Sequence, residues 1–282
     1  MAYSAMEEKQ KVILVPWDFT ESAELAFQHA LQLASAASND VLLFHMIPPK
    51  LFEGSKVRQK KVDTARHLLK EEAERLNQKY GTRPDVLVSA GSLKKAVIEI
   101  LAGGFVNLVV VHKHYAVTPK KSIDSSKFLR GIKDAIVPFL VVEAPPAHSH
   151  YIEIVVPIDP DKKYKETVHW IIHLSKYYKC NINLIKPFLT DETKKRNMSS
   201  NIFFTKKMLD GNKIVYGIKT AKKNKSFTSE IYGFANNIDA DLILIMSDKY
   251  DKYVRTKEEE QTTEHVPIMC INPRVRKYQS FA

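Results

Sequence analysis

Lys11-Val-Ile-Leu-Val-Pro-Trp-Asp18 is a continuous apolar run closed by Pro-x-Asp, and Glu153-Ile-Val-Val-Pro-Ile-Asp159 has the same design, its Asp lying 141 residues further on. A run that is apolar without alternation is the pattern of a strand buried on both faces, as in a parallel sheet. The repetition extends outward from this pair. Asp40-Val-Leu-Leu-Phe-His-Met-Ile47 is matched by Asn181-Ile-Asn-Leu-Ile185, Val106-Asn-Leu-Val-Val-Val111 by Ala240-Asp-Leu-Ile-Leu-Ile245, and Val137-Pro-Phe-Leu-Val-Val142 by Val266-Pro-Ile-Met-Cys-Ile271. Four landmarks in one order make an internal duplication, which fixes the architecture before any single motif does. The expected domains are residues 1–146 and 151–282, joined by the proline-bearing connector Ala144-Pro-Pro-Ala-His-Ser-His150.

Helical patterns fill the gaps between runs. Thr20 is placed to cap a helix with Glu21 and Glu24 in its first turn, where carboxylates favour the dipole. Ala23, Ala26, Ala30, Leu33 and Ala37 recur at helical spacing, and Val62, Ala65, Leu68, Leu69, Ala73 and Leu76 form a second stripe that Gly81 can stop. Val86–Val88 reads as a third strand and Lys94–Leu101 as a third helix. In the second half Ile214–Ile218 reads as the third strand, and the polar, basic stretch Asp191–Leu209 predicts a weakly packed or irregular helix. Parallel strands need crossover helices, so the expected fold is α/β: two tandem doubly wound domains, each an open five-stranded parallel sheet with helices on both faces.

These residues resemble the universal stress protein family in tandem form. The resemblance rests on Val12-Ile-Leu-Val-Pro-Trp-Asp18 with Thr20, Leu42-Leu-Phe-His-Met46, Asn107-Leu-Val-Val-Val111 and Val137-Pro-Phe-Leu-Val-Val142. It implies dimerisation through the last strand, here an intramolecular pseudo-dimer of the fused copies with a homodimer as a further possibility. In one subset of the family it implies ATP at the strand C-termini. That subset carries Gly-x-x-Gly and, nine residues later, Gly-Ser or Gly-Thr, because glycine lets backbone N–H groups close around phosphate. This chain departs from the pattern. His112, Tyr115 and Thr118 stand at the glycine positions of the first copy, and Ser125-Ser126 stands where Gly-Ser is expected. The second copy has Ser247-Asp-Lys-Tyr-Asp251, whose Asp248 and Asp251 oppose phosphate, and Val254-Arg255 in place of Gly-Ser.

The candidate nucleotide contacts are therefore Asp18, Met46, Lys113, Ser126 and Asp159, with Lys120 and Lys121 as further charge. A second reading stands beside each: Asp18 and Asp159 as acceptors in a turn before a helix, Ser126 as a helix cap. Trp17 and Trp170 read as packing residues, and His45 as a structural one. His112 with His114, and His148 with His150, have metal-like spacing but lack completing ligands, so exposed loop histidines are the simpler account. No nucleophile elbow, Walker loop or HExxH is present.

Composition narrows the classes. A chain of 282 residues with 44% hydrophobic and 27% charged residues has the make-up of a globular protein with a core of its own. It has no apolar run long enough for a transmembrane helix, so no membrane partner is expected. Met1–Gln10 lacks the basic start and apolar run of a secretory signal, and Cys180 and Cys270 form no metal motif, which together predict a cytoplasmic protein. The net charge of +11 is shared, +4 before residue 147 and +7 after it. Without interleaved aromatics that excess reads as a solvated lysine-rich surface, and nucleic acid is not a favoured partner. The functional expectation is a non-enzymatic stress-response module that senses a small ligand or binds a protein. The alternative is an ATP or AMP binder, or slow ATPase, using the first copy only.

Overall fold

The computed structural model describes residues 11–48, 54–118, 121–124, 137–223, 225–259 and 265–272. The chain divides into two compact units with the boundary between Phe139 and Leu140. Both are α/β, built on parallel strands as the apolar runs predict.

In the first unit β1 (Val12–Pro16), β2 (Asp40–Ile47), β3 (Asp85–Ala90) and β4 (Val106–His112) lie in the order β3-β2-β1-β4. All three pairings are parallel. At the outer side of β4, Val109 N–H donates to Pro138 O, 3.1 Å away, just before β7 (Phe139–Val142). The crossovers are α1 (Glu21–Ala37), α2 (Ser55–Tyr80) and α3 (Leu93–Ala102). Thr20 caps α1 by accepting from Ala23 N–H at 3.4 Å. Gly81 ends α2 in the left-handed region (φ 72°), where its N–H reaches Asn77 O at 2.8 Å; that conformation is easy for glycine alone. The inner stripe of α2 is Ala65, Leu69, Ala73 and Leu76. Leu68, expected in that stripe, is exposed, because it falls about a quarter-turn off the line through the other four.

The stretch after β4, expected as a loop, is a hairpin. β5 (His114–Thr118) pairs antiparallel with β6 (Lys121–Asp124), Tyr115 opposite Ile123.

Glu24 ties α1 to α2. It accepts from Lys79 Nζ (2.7 Å), Tyr80 Oη (2.7 Å) and Arg75 Nη2 (2.8 Å). Partial burial pushes its carboxyl up, but these hydrogen bonds and the Arg75 charge outweigh that and bring it down to about 2. A carboxylate depressed on folding stabilises fully above its unfolded value, near 4.5, and loses that contribution as pH falls toward 2. Glu24→Gln is expected to cost about 1 kcal/mol at neutral pH, solvent screening of Arg75 and Lys79 keeping it small. It should also flatten the acid limb of stability between those two values, as read by denaturant unfolding at stepped pH.

The second unit has β8 (Glu153–Pro157), β9 (Asn181–Lys186), β10 (Tyr216–Thr220), β11 (Leu242–Met246) and β12 (Ile268–Ile271) in the order β10-β9-β8-β11-β12, all parallel. Its helices are α4 (Lys165–Tyr177), α5 (Glu192–Gly211), α6 (Phe227–Asn237) and α7 (Tyr250–Glu259). Of the weakly packed or irregular helix expected over Asp191–Leu209, the irregularity is overturned, while only four of its residues are buried. α5 is regular and 20 residues long, capped by Asp191 Oδ1 on Lys194 N–H at 2.7 Å. Its buried stripe is Met198, Asn201, Thr205 and Leu209. Two of the four are polar, which hid the stripe from a hydrophobicity reading. They are satisfied inside: Asn201 Nδ2 donates to Asp159 O (2.8 Å) and Asp161 O (2.9 Å), and Thr205 Oγ1 donates to Asn201 O (2.7 Å).

The connector is held to this unit. Asp241, nearly buried, accepts from Ile152 and Glu153 N–H at 2.8 Å each, and His148 Nδ1 lies 2.7 Å from its other oxygen. His148 Nε2 is 3.1 Å from Asp239 Oδ2. With a carboxylate at each ring nitrogen the imidazolium fits best, and the Asp241 hydrogen bond and charge raise the His148 pKa. The contribution of such a group is complete below its ordinary value of 6.5 and is lost as pH rises through the raised one. Stability should therefore decline as pH rises above about 6.5, and His148→Gln should abolish that decline in the same pH-stepped unfolding series.

Candidate functional site

In an open α/β sheet, ligands bind beyond the strand C-termini where the strand order reverses. That point falls between β1 and β4 in the first unit and between β8 and β11 in the second.

Asp18 follows β1. Its Oδ1 accepts from Thr20 N–H (3.1 Å) and Thr20 Oγ1 (2.5 Å), the turn-and-cap arrangement a short acceptor makes before a helix. Between them Phe19 adopts φ 61°, a conformation a bulky residue holds only when its surroundings insist. Its ring meets His45 edge-on, centroids 4.8 Å apart. His45 Nδ1 donates to Trp17 O at 2.7 Å, and burial lowers its pKa, so the neutral ring serves structure as expected. Trp17, 1% exposed, packs against Phe27 beneath the sheet edge. Met46 is buried at the end of β2.

Tyr115 reaches the same place. The hairpin turns its ring inward until 4% remains exposed, with β5 against α1. The hydroxyl comes to the Met46 backbone and the Asp18 charge, without the alignment of a true hydrogen bond. Burial, reinforced by Asp18, raises its pKa well above the ordinary value and keeps the phenol protonated. The structure thus brings Asp18 and Met46 together and sets a tyrosine ring beside them. Lys113 lies at the β4–β5 junction, between His112 and His114; the His114 N–H donates to His112 Nδ1 at 3.1 Å. Ser125, Ser126 and Lys120 lie outside the described residues.

In the second unit Asp159 repeats the turn of Asp18: its Oδ1 accepts from Asp161 N–H at 2.7 Å. Its Oδ2 lies 3.5 Å from Lys249 Nζ. Lys249 ends the short 3-10 turn Ser247–Lys249 that leads from β11 into α7. A cavity of about 60 Å³ opens here, lined by Asp159, Tyr164, Thr167, Thr228, Lys249 and Tyr253 among others. It is far below the several hundred Å³ of a site for a drug-sized molecule. Asp248 and Asp251 are exposed and do not line it.

Sequence reasoning passed over Tyr115, Lys249 and Tyr253 as site residues. The signal available was Tyr115 at a lost glycine, and Lys249, Lys252 and Tyr253 at helical spacing after a strand. His148 is an exposed loop histidine, as expected, and it is also paired with two carboxylates. Among the described residues no group of three His, Cys, Asp or Glu side chains is placed to hold a metal, and no helix is long and apolar enough to cross a membrane.

An open parallel α/β sheet with an aspartate at the switch point of each copy defines the class: a doubly wound ligand-edge fold. Residues 10–142 match the universal stress protein family, and the first unit belongs to it. The chain is also similar to a universal stress protein from Archaeoglobus fulgidus, at TM-score 0.68 and 14% identity over 93% of this chain and 98% of that one. A second similar structure is a functionally unknown protein from Pseudomonas aeruginosa, at TM-score 0.55 and 16% identity over 94% of this chain and 93% of that one. At such identities the likeness is one of fold. No curated protein matches the sequence significantly.

Proposed function

We propose that the chain is a tandem universal stress protein, residues 1–146 and 151–282 forming its two domains. It acts as a non-enzymatic module for sensing a small ligand or binding a protein, and its own side chains close both nucleotide edges. The observation that carries this reading is Tyr115. A buried phenol ring beside Asp18 and Met46 takes the volume an adenosine would need, and nothing of the glycine cradle is left to hold phosphates. The small size of the second cavity supports the same reading for the other copy.

The competing reading is an ATP or AMP site in the first domain, favoured by the position of Asp18 and Lys113 after the C-terminal ends of β1 and β4 and requiring the hairpin to move aside. The two separate on freshly purified full-length protein. Denaturation, followed by absorbance and mass spectrometry of the released small molecules, is expected to yield no adenine nucleotide. A stoichiometric yield that disappears in Asp18→Ala and persists in Asp159→Ala would establish the competing reading instead.

A further inference from the structure

We propose that β10, the outer strand of the second unit, binds an acidic protein segment in extended form, as an added strand of the sheet. Such a segment is a class of partner for the protein-binding part of the function proposed above, on which this rests; the nucleotide edges at Asp18 and Asp159 take no part.

The first observation is an open main chain. β10 ends the strand order and, among the described residues, pairs only with β9. Ile182 N–H donates to Val215 O (3.1 Å) and Ala221 N–H to Lys186 O (2.9 Å), so the odd-numbered residues of β10 turn their backbone groups to β9. Tyr216, Ile218 and Thr220 therefore point N–H and C=O outward. Gly217, Ile218 and Thr220 are exposed, and so is Val215 just before the strand, at 70%. The third strand of the first unit differs: from Val86 to Ala90 β3 is half-buried or buried, and α2 packs on it.

The second observation is that nothing blunts this edge. Sheet edges are ordinarily protected by proline, by a bulge or by a lysine on the rim. β10 has no proline, and its pairing with β9 runs in one register. Its one lysine, Lys219, is turned onto α6, with Nζ 4.2 Å from the Phe234 ring centroid. Tyr216, on the other face of the strand, donates from Oη to Asp210 Oδ1 on α5 at 3.0 Å. The two longest side chains of the strand thus lie against the flanking helices and leave the rim open.

The third observation is charge, which selects the partner. Residues 206–225 hold seven lysines and one acidic residue, Asp210, whose carboxylate already receives Tyr216. Lys213 and Lys222, both exposed, flank the two ends of the strand. Lys206, Lys207 and Phe203, which is 71% exposed, share the stripe of α5 that ends at Asp210. Carboxylates at alternating positions of an added strand complement this surface. A second copy of β10 does not: antiparallel pairing about a two-fold axis at Ile218 would set Lys213 of each copy against Lys223 of the other.

The test uses full-length protein and a fluorescent synthetic peptide in which valine and threonine alternate with glutamate. Anisotropy is expected to show saturable binding, with Kd of about 100 µM at low salt. Hydrogen exchange should slow at the Tyr216, Ile218 and Thr220 amides. Ile218→Pro removes an outward N–H and leaves the β9 ladder intact, a substitution an edge strand tolerates; it should weaken binding about tenfold or more. Replacing the glutamates of the peptide by lysine should do the same. If Ile218→Pro fails to fold, the glutamate peptide N-methylated at alternate amides removes the same hydrogen bonds on the unaltered protein and decides. No saturation up to about 2 mM peptide, equal binding of the N-methylated peptide, or slowed exchange that spares β10 would overturn the proposal. Titration with ATP separates it from the closed nucleotide edges. Failure of both peptide and ATP to bind overturns the β10 surface and leaves those edges closed; binding of both supports the β10 surface and overturns the closure.

Discussion

Tyr115→Ala is expected to lose about 3–5 kcal/mol of stability and to gain ATP binding that the unaltered protein lacks. The stability loss follows from burial. A ring with 4% exposure fills space between α1 and the ends of β1 and β2, and its removal leaves a hole that a paired hairpin cannot fully collapse. The gain follows from what borders the hole. Asp18 is placed to accept from a ribose or adenine edge, and the Met46 backbone offers a hydrogen-bonding group beside it. Affinity should be weak, Kd of about 1 mM, because no glycine cradle replaces the missing phosphate contacts. Tyr115→Phe is the control. It keeps the ring and removes a hydroxyl that makes no true hydrogen bond, so stability should stay within about 0.5 kcal/mol or rise, and ATP should remain excluded. Denaturant unfolding and calorimetry on the three proteins read both effects. Equal ATP binding in all three would show that the ring excludes nothing.

Asn201→Leu is the second large effect, with an expected cost of about 2–3 kcal/mol even though the substitution makes α5 more hydrophobic. Asn201 is 2% exposed and its amide is the partner of two carbonyls, Asp159 O and Asp161 O. Leucine would leave both part-buried carbonyls without this donor, and that cost exceeds the gain from apolar area. The same two bonds hold the turn that presents Asp159 to the cavity, so the cavity should loosen along with the fold. Chemical unfolding measures the cost; a stabilised Asn201→Leu would mean that the amide does not organise the turn.

What the sequence made legible, and what it did not, divides on one physical line. Strands buried on both faces write themselves as apolar runs: Asp40–Ile47 is β2 residue for residue, and β1, β4 and β11 lie within their expected runs but for one or two terminal residues. Local caps were equally plain, Thr20 before α1 and Gly81 after α2. The regularity of α5 was missed because half of its inward stripe is polar, and its Asn201 is satisfied by contacts with residues some 40 positions away. Tyr115 showed only as a glycine lost; that its ring turns inward depends on a hairpin whose partner strand carries no strong pattern of its own. Lys249 was passed over because its neighbours Asp248 and Asp251 read as hostile to phosphate. The turn between β11 and α7 separates them, sending Lys249, Lys252 and Tyr253 to the cavity and Asp248 and Asp251 to solvent.

The central claim is that neither switch point accepts a nucleotide in the unaltered chain. Calorimetric titration of full-length protein with ATP tests it most directly. The account predicts no saturable heat up to about 1 mM ATP, with binding emerging in Tyr115→Ala. A stoichiometric ATP site in the unaltered protein, with Tyr115 in place, would contradict it.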